Sequence, residues 1–205
     1  MLSAKTTGWM LVMGMVALVV VIIAGVIQGD PGTTAELVAW AAVNKATWQI
    51  VVPINMIANF LLIIFTVGFI SWAHSIDDSN GAIVFGKYTA LVGLIVIWVA
   101  DLSQTAAFNT AADNTDAAHA LISLSRELTY IGIATLLASF FVVGATAYMK
   151  KSGTPALNGL LALVGVVGCV GAFIPAEWSD VFWLLGFLLG MVLMAIIGVQ
   201  KLMRS

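Results

Sequence analysis

The chain has 205 residues, of which 61% are apolar and only 9% are Asp, Glu, Lys or Arg, against roughly a quarter charged in soluble domains. That balance excludes a soluble globular domain. A formal net charge of -2, with no basic cluster larger than Lys150-Lys151, argues against a nucleic-acid partner. The single cysteine, Cys169, excludes an intrachain disulfide or a CxxC site and reads as a small packing residue among glycines.

Successive apolar runs of about 20 residues predict an all-α, polytopic membrane helix bundle, a single integral membrane domain over 1–205. Six spans are expected, at approximately 8–28, 49–73, 84–105, 126–149, 155–174 and 180–199. The first run, Gly8 to Gln28, exceeds the apolar core of a secretory signal, and no small-residue cleavage site follows Ala24, so it is expected to remain as a spanning helix. Gly29-Asp30-Pro31-Gly32 is a turn cluster that ends it. Thr33-Thr34-Ala35-Glu36 has the spacing of a capping box, in which a hydroxyl and a carboxylate three residues later satisfy the free N–H groups of a helix start. From Leu37 to Trp48 the helix carries Trp40, Asn44 and Lys45, a mixed face suited to the membrane interface.

In the second span, Pro53 lacks an N–H and is expected to bend the helix. Asn55 and Asn59 follow, one turn apart, in a row running Asn44, Trp48, Asn55, Asn59, Thr66. Such a polar stripe serves either interhelical hydrogen bonding or a solute-facing cavity. After the loop from His74 to Gly81, the third span has Lys87 and Tyr88 at its start and Trp98 and Asp101 near its end. Thr115-Asp116 is expected to cap one long segment reaching Tyr148, whose first turns stand outside the hydrocarbon. Thr154 as N-cap and Pro155 at the first helical position open the fifth span, and Ser179-Asp180 the sixth.

With both termini cytoplasmic, Lys5, Lys87, Lys150, Lys151, Lys201 and Arg204 all lie inside, while only Lys45 and Arg126 lie outside. The expected location is a prokaryotic plasma membrane. Gly186-Phe-Leu-Leu-Gly190 is a GxxxG motif, and Gly165, Gly168 and Gly171 make a smooth groove, so the last two spans are expected to pack as a hairpin through these glycines, with a homo-oligomer face as the alternative. Trp9, Tyr148, Trp178 and Trp183 fall near span ends as interfacial anchors. The final hairpin, from Ala156-Leu-Asn-Gly-Leu-Leu-Ala-Leu-Val-Gly through a Trp-containing turn to Leu-Leu-Gly-Phe and Ile-Gly-Val-Gln-Lys-Leu, resembles six-helix bacterial membrane proteins grouped as a domain of unknown function. That resemblance implies a topology and no catalytic residues.

No HExxH, GxSxG, CxxC or P-loop pattern occurs. His74 and His119 belong to opposite sides of the bilayer and cannot share a metal, and no lysine lies deep in a span, so no cofactor is expected. The chemistry concentrates between Trp98 and Tyr130. Asp116, His119, Ser123, Arg126 and Tyr130 share one helix face with Glu127 beside it; Asp101, Gln104 and Thr105 share another, with Trp98 one turn inward. Charge at membrane depth requires a partner. The spacing pairs Asp101 with Arg126, either as an ion pair that fixes helix register or as an outward-facing vestibule in which Arg126 and Glu127 hold a ligand and Asn55 and Asn59 line the wall. Two functions are therefore expected: first, a non-catalytic subunit or scaffold packing against partner subunits, a second copy and membrane lipid; second, a small-solute transporter or ligand-binding protein.

Overall fold

The structure is a computed structural model that describes residues 2–29, 32–174 and 176–204; the side chains of 176–180 and 183 lie outside the description. The turn expected at Asp30-Pro31 and the anchors Trp178 and Trp183 fall outside it as well. The described residues form seven helices and no strand: α1 (Ala4–Gln28), α2 (Thr34–Val43), α3 (Lys45–Asp77), α4 (Gly81–Thr110), α5 (Thr115–Met149), α6 (Pro155–Gly171) and α7 (Ala176–Met203). Five stretches are long and apolar enough to cross a membrane: α1, α3, α4, α5 and Leu184–Met203 of α7. The sixth expected span, 155–174, corresponds to α6, which has only 17 residues.

Local chemistry sets most boundaries. Thr33 and Glu36 form the capping box: the Thr33 N–H donates to Glu36 Oε2 at 2.7 Å and the Glu36 N–H to Thr33 Oγ1 at 3.2 Å. These bonds from the Thr33 backbone and then its hydroxyl hold the Glu36 carboxyl below the usual glutamate range. The interfacial helix does not run through to Trp48. Asn44, at φ -108° and ψ 42°, breaks it, and its side-chain amide donates to the Trp40 carbonyl, ending α2 and freeing α3 to change direction. Asn114, rather than Thr115, caps α5 through the Ala117 N–H. Thr154 is the N-cap residue ahead of Pro155, as expected, but makes no side-chain cap bond; its hydroxyl donates instead to Gln200 Oε1 at 2.9 Å, tying α6 to α7. α7 starts at Ala176, ahead of Ser179-Asp180.

Six helices, α1 and α3 to α7, close a ring. α1 packs on α3 and α7, α4 on α5, α5 on α6 and α6 on α7, and a thinner α3–α4 contact completes the circuit. Its centre is filled by Phe65 and Phe69 of α3 and Phe140 of α5, with ring centroids of Phe69 and Phe140 5.5 Å apart, over Met191, Met194 and Leu137. Several crossings depend on missing side chains. A Cβ built on Gly132 would stand 2.7 Å from Ile97 Cγ1 and 3.0 Å from the Gly93 carbonyl oxygen, so α4 and α5 meet backbone to backbone. A Cβ on Gly186 would lie 2.6 Å from the Gly168 Cα, at the α6–α7 crossing. Gly165 faces the Phe141 backbone and Gly190 the Phe140 ring, so both of these serve contacts with α5 rather than the hairpin alone.

The two ends of the ring differ. At one, Asp77 pairs with Lys150 and Asp78 with Lys87 and His74, each at 2.5 Å, clasping the α3–α4 turn to the end of α5. The hydrogen bond from Lys87, and then that from His74, holds the Asp78 carboxyl below its usual range. The Thr7–Ser71 hydrogen bond and the contact of Gly8 with Gly198 place both chain termini at this same end. At the other end α2 lies across α3, α4 and α5 through a second apolar core of Leu37, Val38, Trp48, Phe108 and Ile122.

Candidate functional site

The α3–α4 seam is the thinnest contact of the ring. α3 is committed to α1, with Gly68 set against Met10, and α4 to α5 at Gly93, so the helices joined by the tight 78–80 turn part toward the α2 end. Polar side chains from both helices occupy the gap. Asn55 and Asn59, one turn apart, face it from α3; Asp101, Gln104 and Thr105 face it from α4. Asn59 is buried and its amide donates to Asp101 Oδ2 at 2.6 Å. The Thr105 hydroxyl donates to the Asp101 main-chain carbonyl at 2.9 Å and so is satisfied within α4.

Two cavities of about 230 Å³ each flank this pair. The first lies between Val52, Met56 and Phe60 of α3 and Trp98, Leu102 and Phe108 of α4. Phe60 and Leu102 are 61% and 58% exposed, so its rim opens on the outer flank of the bundle, which the apolar exterior assigns to lipid. The second lies inside the ring, against Val21, Ala24, Gly25 and Gln28 of α1 and Thr129 of α5. Asn55, Asn59, Asp101 and Gln104 line both, so these side chains stand between a mostly apolar cleft and a second cavity against α1 and α5. At 1.5 Å per residue Asp101 stands about 21 Å along α4 from Lys87, well within a ~30 Å hydrocarbon layer.

The expected partnership of Asp101 with Arg126 is corrected by this arrangement. Arg126 donates to Thr34 Oγ1 at 3.2 Å and to the Gly32 carbonyl at 3.4 Å, holding the start of α2 against α5. The reason is angular. Where α4 and α5 meet, Gly93 and Gly132 face each other; counting at 3.6 residues per turn, Asp101 is rotated about 80° and Arg126 about 120° away from those glycines. Asp101 therefore turns to α3, and Arg126 to the α1–α2 connection. Glu127 is exposed, as are Asp116 and His119, and neither Glu127 nor Tyr130 lines either cavity. Of the residues singled out in the sequence, Asn55, Asn59, Trp98 and Asp101 come together; Arg126, Glu127 and Tyr130 do not join them.

Of the row Asn44, Trp48, Asn55, Asn59, Thr66, only the two middle asparagines reach the site. Asn44 caps α2, Trp48 joins the apolar core under it, and the Thr66 hydroxyl donates to the Leu62 carbonyl of its own helix. Comparison of the chain with family models, with curated proteins and with solved structures finds no match. The resemblance of the last hairpin to six-helix bacterial proteins consequently supplies no family, and function has to be argued from the seam itself.

Met56, Phe60 and Phe108, three of its apolar walls, escaped sequence reasoning although periodicity carried the signal. Phe108 follows Asp101 and Gln104 at i+7 and i+4, and Phe60 follows Met56 at i+4 beside the asparagines. The contribution of α1, including Gln28, had no such signal, because hydropathy marks Gln28 only as the end of a span.

Proposed function

We propose that this is an integral membrane protein that binds an amphipathic small molecule in the α3–α4 cleft, its apolar part against Phe60, Trp98 and Phe108 and its polar head at the Asp101–Asn59 pair. The observation that carries the reading is the placement of that pair: a carboxyl and an amide, at membrane depth, shared by two cavities of which one opens on the lipid-facing flank. Pockets for small ligands combine apolar walls with a few convergent polar groups. An ionisable residue within a span marks a functional site by default.

The topology we infer has six crossings with both termini cytoplasmic, in a prokaryotic plasma membrane. α6 reaches about 25 Å at 1.5 Å per residue, and it runs beside α5 and α7. Lys87 and Lys150 meet at the end where the termini lie, and Arg126 is bonded near α2 at the other. This separation supports the orientation by the positive-inside rule. The subunit or scaffold reading would have partner chains cover the exterior, but lipid accounts for the same apolar surface, whereas neither accounts for a carboxyl and an amide facing the cleft.

A long-chain alcohol carrying a photo-activatable diazirine tests the binding reading. In lipid nanodiscs the expected label is saturable, competed by excess unlabelled alcohol, and concentrated on 52–60 and 98–108. Label spread evenly over the exposed faces of α1, α4 and α7, without competition, would overturn it. Stoichiometric partner chains on gentle purification, with no labelling of the cleft, would favour the subunit.

A further inference from the structure

The chemistry of the cleft goes beyond the presence of a site and points to the class of molecule it takes. We propose that the ligand is an organic cation, a hydrophobic quaternary ammonium or protonated amine, with Asp101 as its counter-charge; this rests on the reading of the α3–α4 cleft as a binding site.

Among the described residues lining the two cavities, Asp101 is the only ionisable one, and no lysine, arginine or histidine stands beside it. An ionised carboxylate at this depth calls for a partner of opposite sign, which a bound cation supplies. Three of the protein's cations are engaged elsewhere. Arg126 holds the Gly32 carbonyl and the Thr34 hydroxyl, while Lys87 and Lys150 hold Asp78 and Asp77 at the opposite end of the ring. Asn59 donates one neutral hydrogen bond, which orients the carboxyl without balancing its charge. An anionic head would meet no positive group here.

The walls fit the same ligand. Phe60, Trp98 and Phe108 surround the outer cavity, and aromatic faces attract alkylammonium groups through the ring quadrupole, Trp most strongly. Phe60 and Leu102 form an exposed apolar rim along which an attached alkyl chain can continue into lipid. A volume of about 230 Å³ accommodates a trimethylammonium group and the first part of its chain.

The experiment compares two fluorescent alkyl probes in neutral-lipid nanodiscs, one ending in trimethylammonium and the other in its uncharged tert-butyl isostere. The expected result is saturable binding of both to the wild-type protein, the ammonium at least tenfold tighter. Asp101→Asn should erase that difference while sparing the isostere, and Asp101→Glu should retain it. Equal affinities in the wild type would overturn the cation assignment and leave the binding site standing, and this comparison needs no variant to fold. Saturable binding of neither probe would overturn the site and the assignment together.

Discussion

Gly132→Leu is expected to be strongly destabilising, with a loss near the upper end of the ~1–3 kcal/mol typical of overpacking. The new side chain would have to enter the α4–α5 crossing, where even a Cβ meets Ile97 at 2.7 Å and the Gly93 carbonyl at 3.0 Å. The obstruction includes backbone on the facing helix, which cannot rotate away as a long side chain could. Since α4 and α5 make the most extensive contact in the ring, separating them also pulls Asp101 away from Asn59. Gly25→Ala is the control: nothing lies within 4 Å of its Cβ position, and alanine favours a helix over glycine by about 1 kcal/mol. Apparent melting in detergent, followed by loss of the monodisperse chromatographic peak, should fall by several degrees or more for Gly132→Leu and hold or rise for Gly25→Ala. Equal behaviour of the two would contradict the close crossing.

The second large effect is non-additive. Asn59→Leu removes the single side-chain hydrogen bond that Asp101 receives and leaves its carboxyl against apolar walls, a loss of about 1–3 kcal/mol for stranding a buried polar group. Asp101→Leu strands the Asn59 amide in the same way, although it removes the charge. The double variant strands neither, and replacing both members of a buried pair by apolar groups is often nearly neutral. Its melting point is therefore expected close to the wild-type value, well above the sum of the single losses, with a coupling on the order of 1 kcal/mol or more. Binding should not follow stability: the double variant folds with a cleft that lacks its carboxyl and binds the ammonium probe no more tightly than the uncharged isostere. A double variant that is both stable and fully active would reduce Asp101–Asn59 to a structural clasp.

Much of this was legible in the residues. The capping box at Thr33 and Glu36, the polar stripe through Asn55 and Asn59 and the charge of Asp101 at membrane depth all follow from spacing and composition. Helix lengths did not follow. Hydropathy registers the apolar layer, so α4 was expected to begin at Val84 and end at Thr105, whereas the helix extends from Gly81 to Thr110 with Asn80 as its cap. Partnership did not follow either. A helical row defines a face but not which neighbour it meets, and chain adjacency favoured α5 for Asp101. The packed glycines at 93 and 132 set the rotation that turns it to α3 instead. The clasp of Asp77 and Asp78 with Lys87 and Lys150 was not legible for a similar reason: the two lysines indicate orientation and the two aspartates a loop, and their meeting depends on how three helix ends converge.

Trp98 provides the most direct measurement of whether the α3–α4 cleft is the binding site. It lines the outer cavity and is 39% exposed, whereas Trp9, 54% exposed, lines neither cavity. A bromoalkyl trimethylammonium quenches indole fluorescence on contact, and its titration into protein in nanodiscs separates a saturable component from the linear quenching by probe dissolved in lipid. The saturable component is expected in the wild type and in Trp9→Phe, and should be lost in Trp98→Phe. Saturable quenching that survives Trp98→Phe unchanged, or quenching that is linear throughout in the wild type, would contradict a ligand site between α3 and α4.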